Sequence, residues 1–175
     1  MKKRSFIFLI SIIMILSFTA CGSVGTFEKN VLDVSDSYGE KITIDKYESF
    51  KLKDNPYIKD KDILDDDELN STVILFWYTV DVSDDTQNDN TASDWNAYFE
   101  AYQETKDNLK KLDMASYTDD KFDENSEDII KPGKSGKGCF GYYLRDAKLP
   151  VILIAADPNG GDEIGRQEYK INGKK

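Results

Sequence analysis

The chain has 175 residues, 33 acidic against 23 basic side chains, a net charge of −10 and no histidine. That acidity argues against nucleic acid as a partner, because phosphate binding needs clustered Lys and Arg. The missing histidine excludes imidazole base catalysis, His-paired nucleophiles and His-ligated zinc. The first element in chain order is an export signal over residues 1–20. Met1-Lys2-Lys3-Arg4 is a basic region, and Ser5 to Phe18 is an apolar run of 14 residues. As a helix that run spans roughly 21 Å, short of a ~30 Å hydrocarbon core, so it fits a signal peptide better than a permanent span.

Small residues Thr19 and Ala20 then lead to Cys21. Phe18-Thr19-Ala20-Cys21-Gly22 resembles a bacterial lipobox, with Phe18 where leucine is usual. The resemblance implies a diacylglyceryl group on the Cys21 thiol and cleavage just before it. Each buried acyl CH2 contributes about 0.8 kcal/mol, so two chains tether a protein stably. Cleavage removes three of the 23 basic residues and none of the 33 acidic ones, leaving a net charge of −13. Such a domain is repelled by anionic headgroups and relies on its tether. Acylation of Cys21 leaves Cys139, in the apolar-rich "GKGCFGYYL", as a candidate core filler acting as a small hydrophobe.

Residues 21–40, rich in Gly, Ser and Asp, read as the lipidated N-terminus and a flexible tether. A coil of that length spans on the order of 25 Å. Residues 41–175 are the size of one domain. "KITIDKYESFKL" (41–52) alternates as a strand or bent strand pair, and the charged 53–70 reads as a loop. "STVILFWYTVDV" (71–82) predicts a central strand covered on both faces, with Trp77 in the sandwich core. An acidic loop, 83–94, follows. "WNAYFEAYQ" (95–103) carries both helical and strand spacing, and "NLKKLDMASY" (108–117) reads as a strand. Pro132-Gly133 predicts a turn. Strands follow at 136–144, 149–155 and 164–171, with "DPNGG" turning between the last two. About seven short strands with turn-rich gaps predict an all-β, antiparallel β-sandwich.

Several tempting sites fail on spacing. A phosphate loop through "PGKSGKG" needs glycine where Asp128 or Lys131 stands. EF-hand registers from Asp81 and Asp157 lack the required glycine, although looser calcium sites at Asp65-Asp66-Asp67-Glu68 or Asp84-Asp85 fit the residue types. Ser135 has neither a histidine base nor a nucleophile elbow. Chance carboxylate pairs are too many to point to glycoside chemistry. No catalytic residue, cofactor or metal ligand is therefore assigned, and the chain is read as a non-enzyme.

"VILFWYTVDVSDD" (73–85), "NAYFEAYQ" (96–103), "IKPGKSGKGCFGYYLRD" (130–146) and "PVILIA" (150–155) together resemble a family of Gram-positive surface lipoproteins, domain of unknown function 5067. The resemblance covers roughly residues 40–172. It implies an immunoglobulin-like sandwich and strand over Ala97–Gln103, with no known catalysis and no ligand residues to carry over. The chain departs from the family pattern around Val82-Ser83 and in the longer "ETKDN" turn. The expectation is a lipid-anchored domain on the extracytoplasmic face of the membrane, acidic loops outward, acting on an unknown protein partner. An alternative is ligand capture by Trp95, Tyr98, Tyr102, Tyr142 and Tyr143, whose bland reading is core packing. A third reading, immunity to phage or bacteriocin, would rest on genomic neighbours rather than on residues.

Overall fold

A computed structural model describes residues 24–59, 61–62, 64–116, 118–123 and 127–171. The signal and lipobox readings, Cys21 included, lie outside the described residues. Eleven strands occur among the described residues. The first half holds β1 (Thr26–Glu28), β2 (Val31–Val34), β3 (Glu40–Lys51), β4 (Thr72–Val82), β5 (Asn90–Thr91) and β6 (Phe99–Glu104). The second holds β7 (Leu109–Lys111), β8 (Ile129–Ile130), β9 (Ser135–Tyr143), β10 (Val151–Ala156) and β11 (Glu163–Tyr169). Short helices are α1 (Ser35–Tyr38), α2 (Asp66–Asn70), α3 (Trp95–Tyr98) and α4 (Asp120–Asp123).

Every named pairing is antiparallel. One sheet runs β1-β2-β3-β4-β9, a second β11-β10-β6-β7, and β5 pairs β8 separately. The two larger sheets face each other as a sandwich. Their shared interior takes Ile42 and Ile44 of β3, Ile74, Phe76, Tyr78 and Val80 of β4, and Phe99, Leu153 and Tyr169 of the opposite sheet. The strands predicted over 41–52, 71–82, 136–144, 149–155 and 164–171 are present as β3, β4, β9, β10 and β11, and β1, β2, β5 and β8 are additional.

The tether reading of 21–40 is corrected from Thr26 onward. Phe27, Leu32 and Val34 are buried in the sandwich core, so burial rather than composition decides this segment. Lys29 and Asn30 connect β1 to β2 with φ of 49° and 67°, and pairing of Glu28 with Val31 leaves a two-residue hairpin loop. Two successive positive φ values match the twist of flanking strands.

A register shift between Ile44 and Lys46 explains the imperfect alternation of 41–52. The bulge at Asp45 lets Ile42, Ile44 and Tyr47 all reach the inner side, whereas Phe50 turns to the outer side. Along β4, Ile74, Phe76 and Tyr78 face the second sheet, and Val73, Leu75 and Trp77 face the other way. The strand is buried on both faces, as predicted.

Trp77 is a correction. It lies in an outer layer, where Leu52, Ile58, Leu64 and Ala115 cover the first sheet's far side. Its Nε1 donates to Asp119 Oδ2 at 2.8 Å, and Lys46 Nζ sits 3.8 Å from its ring centre. The tryptophan of the inter-sheet core is Trp95, fully buried and stacked against Phe76 and Tyr78. The 95–103 segment uses both of its spacings in turn, α3 through Tyr98 and then β6 from Phe99. The expected strand over 108–117 shrinks to Leu109–Lys111 plus a bridge from Met114 to Tyr142.

Candidate interaction surface

The two sheets differ in what covers their outer faces. The first carries the 52–69 excursion and the 115–122 segment. On the second sheet, β10 alternates buried and half-buried positions. Val151, Leu153 and Ala155 point into the core, leaving Ile152, Ile154 and Ala156 on the opposite face.

Strand register assembles the surroundings of these isoleucines. Ile152 lies between Tyr102 of β6 and Glu168 of β11, with Lys111 of β7 beyond Tyr102. Ile154 lies between Glu100 and Arg166. The result is an apolar strip, Ile152 and Ile154, edged by one aromatic ring and framed by charge.

The charges pair within the face. Lys111 Nζ bonds Glu100, the Tyr102 hydroxyl donates to the other Glu100 oxygen, and Arg166 Nε donates to Glu163 Oε1 at 2.7 Å. Lys111 first, then Tyr102, hold the Glu100 carboxyl below its usual range. In return Glu100 pushes the Tyr102 hydroxyl up to about 12, so it stays a neutral donor at physiological pH. Glu104 and Glu168 remain exposed at the rim. An apolar centre with a polar rim is the anatomy of a protein-contact surface.

The five rings considered for ligand capture do not form one pocket. Trp95, Tyr98 and Tyr142 are buried inside the sandwich, where Trp95 Nε1 donates to the Tyr142 hydroxyl at 3.0 Å. Tyr143 packs with the outer layer, and Tyr102 alone belongs to the face just described. Strand parity separates them: Tyr102 and Tyr142 each sit beside a residue that takes the opposite face.

The acidic runs have local explanations. Asp65 caps α2 by accepting from Glu68 N at 2.8 Å, and Glu68 returns a bond to Asp65 N at 3.2 Å. This capping box, with Asp66 and Asp67 in the first turn, satisfies and complements a helix N-terminus. Among the described residues no group of three or more acidic, Cys or His side chains is placed to hold a metal ion. Cys139 is a buried thiol opposite Trp77, in the outer layer. The sequence reading missed Ile152 and Ile154 as surface residues. "VILIA" is continuous apolar sequence, and only its pairing with the charged alternation of β11 betrays an open face.

Among the described residues no helix is long and apolar enough to cross a membrane. A family model described as domain of unknown function (DUF5067) matches residues 28–157. No curated protein matches the chain. Among solved structures, one from Staphylococcus aureus subsp. aureus NCTC 8325, provisionally assigned as a lipoprotein, is similar at a TM-score of 0.64 and 19% identity. The likeness covers 83% of this chain and 91% of that one, and at this identity it speaks for the fold.

Proposed function

The chain belongs to the family of domains of unknown function 5067, and from that premise we propose a lipid-anchored domain on the extracytoplasmic membrane face that works through protein contacts. Its docking surface is the outer face of the four-stranded sheet. The observation that carries this reading is the asymmetry of cover: one sheet has its own apolar outer layer, while Ile152 and Ile154 keep a half-buried strip on the other.

The occupant is a different protein, with an apolar patch and basic groups around it to meet Glu104 and Glu168. A second copy suits the face less well, because a mature charge of −13 repels its like. The anchor is the lipid on Cys21. Strand β1 starts five residues later, at Thr26, so five Cα steps of 3.8 Å hold the strand within about 19 Å of the lipidated residue. This is a short leash in place of the long tether. It brings the end that carries α1 and the 83–89 loop toward the membrane, instead of displaying those acidic residues outward.

A photo-reactive residue at position 154 in intact cells should form a discrete protein adduct that Ile152→Lys abolishes. The same label at Lys59 should not form it. Equal adducts from both positions would count against this face. For the anchor, Cys21→Ser should release the protein or stall its precursor, and unchanged membrane retention would refute lipidation.

A further inference from the structure

At the end of the sandwich where β3 begins, Glu40 is 2% exposed and Asn90 3% exposed. Asn90 Nδ2 donates to Glu40 Oε1. Glu40 Oε2 and Asn90 Oδ1 have no hydrogen-bond partner. Asp94, from the turn before α3, and Tyr98, from α3 itself, also bear on the Glu40 carboxyl. Asp94 is already engaged, accepting from Thr91 N at 2.7 Å and Thr91 Oγ1 at 3.0 Å.

An ionised carboxylate cannot sit in a dry site without compensation. The groups bearing on Glu40 are Asp94, Tyr98 and Asn90, none of them cationic. The α1 side contributes the Tyr38 carbonyl, which accepts from Asn90 Nδ2 at 3.4 Å, and the Tyr38 phenol, which bears on Tyr98. A metal ion would need six or more oxygens. Among the described residues no group of three or more acidic, Cys or His side chains is placed to hold one. A proton needs only the unpartnered Glu40 Oε2.

We propose that buried Glu40 carries a proton in the folded protein, and that its loss unlatches the end of the sandwich formed by α1, β5 and α3. The proton resides on Oε2, because Oε1 already accepts from Asn90. When the proton leaves to solvent, a buried carboxylate is left with one oxygen unpaired, and the site opens to hydrate it. The residues around it hold the latch: Asp94 caps its own turn, and Asn88 and Asn90 grip the Tyr38 carbonyl. Burial first, then Asp94, pushes the Glu40 carboxyl up to about 7, so opening falls where external pH varies.

The test follows side-chain carboxyl shifts by NMR in purified protein labelled with carbon-13 at glutamate Cδ. Glu40 should titrate with a midpoint between roughly 6 and 8, well above the ~4.3 of a glutamate in a model peptide. Amide exchange over 88–98, corrected for its intrinsic pH dependence, should speed at least tenfold between pH 5.5 and 8. Glu40→Gln mimics the protonated form and should abolish that acceleration. A Glu40 midpoint below 5 in the folded wild type overturns the proposal, whether or not the variant folds. A calcium-dependent shift of the Glu40 signal at pH 7 overturns it in favour of a cation.

Discussion

Gln103 grips Asp146 from both sides of one residue, donating to its carbonyl at 2.7 Å and accepting from its N–H at 3.1 Å. The same amide donates to the Leu149 carbonyl at 2.9 Å and accepts from Arg145 N at 2.9 Å. All four hydrogen-bonding positions of a buried side chain are therefore spent on the turn between β9 and β10. This gives a physical reason for a Tyr-Gln strand end and an "LRD" strand end in one chain. Gln103→Leu should cost about 3 kcal/mol, because it strands several backbone groups at once. Gln103→Glu should be comparably destabilised at pH 7, since a carboxylate would face two carbonyl oxygens, and should partly recover below pH ~5 as it regains a proton. Urea midpoints at the two pH values check both outcomes.

Removing one oxygen from the core tests the Trp95–Tyr142 bond. Tyr142→Phe leaves the Trp95 N–H buried without its partner and should cost about 1–3 kcal/mol. Ring packing around Phe76 and Phe140 is preserved, so far-ultraviolet circular dichroism of the folded variant should match wild type.

Gly138 lies opposite Tyr78 in register, and a Cβ there would fall 2.4 Å from the tyrosine ring. Gly138→Ala should therefore destabilise by about 1–3 kcal/mol through overpacking. Tyr78→Leu frees that space, so the double variant should lose less than the sum of the singles. Strict additivity in a double-mutant cycle would contradict the contact.

Stability should peak in mildly acidic solution. Glu40 has its carboxyl raised, so its contribution is fully present below the ordinary 4.5 and is lost as pH rises through about 7. Asp33, Glu100 and Glu163 have theirs lowered, chiefly by Ser35, Lys111 and Arg166 respectively. Their contributions are present above the ordinary carboxylate values and fade as pH falls through the depressed ones. All three are largely exposed, so the acid limb should be shallow. Denaturant titrations from pH 3 to 9 should show a maximum near pH 5, and Glu40→Gln should flatten the alkaline limb. A maximum at pH 8 in the wild type would contradict the assignment.

The long strands were legible because their apolar residues fall at strand spacing. "STVILFWYTV" carries enough β-branched and aromatic surface to demand cover on both sides, and β4 receives it. The hairpin at 26–34 was not legible by composition. Phe27, Leu32 and Val34 alternate through residues that otherwise read as linker, and Lys29-Asn30 is a less common two-residue turn than Asn-Gly. For 95–103 the two spacings were both real, but only packing set the boundary at Phe99.

Chain order and residue type alone determined the all-β class, the longer and better-marked strands β3, β4, β9, β10 and β11, the exclusion of imidazole chemistry and the lipobox expectation at Cys21. These follow from local periodicity and from which side chains exist at all. Which tryptophan fills the sandwich, which sheet face stays open and which carboxyl is buried were decided by tertiary structure. Each depends on register between strands far apart in sequence. One residue of slip sends a side chain to the opposite face, and neighbouring residues do not record it.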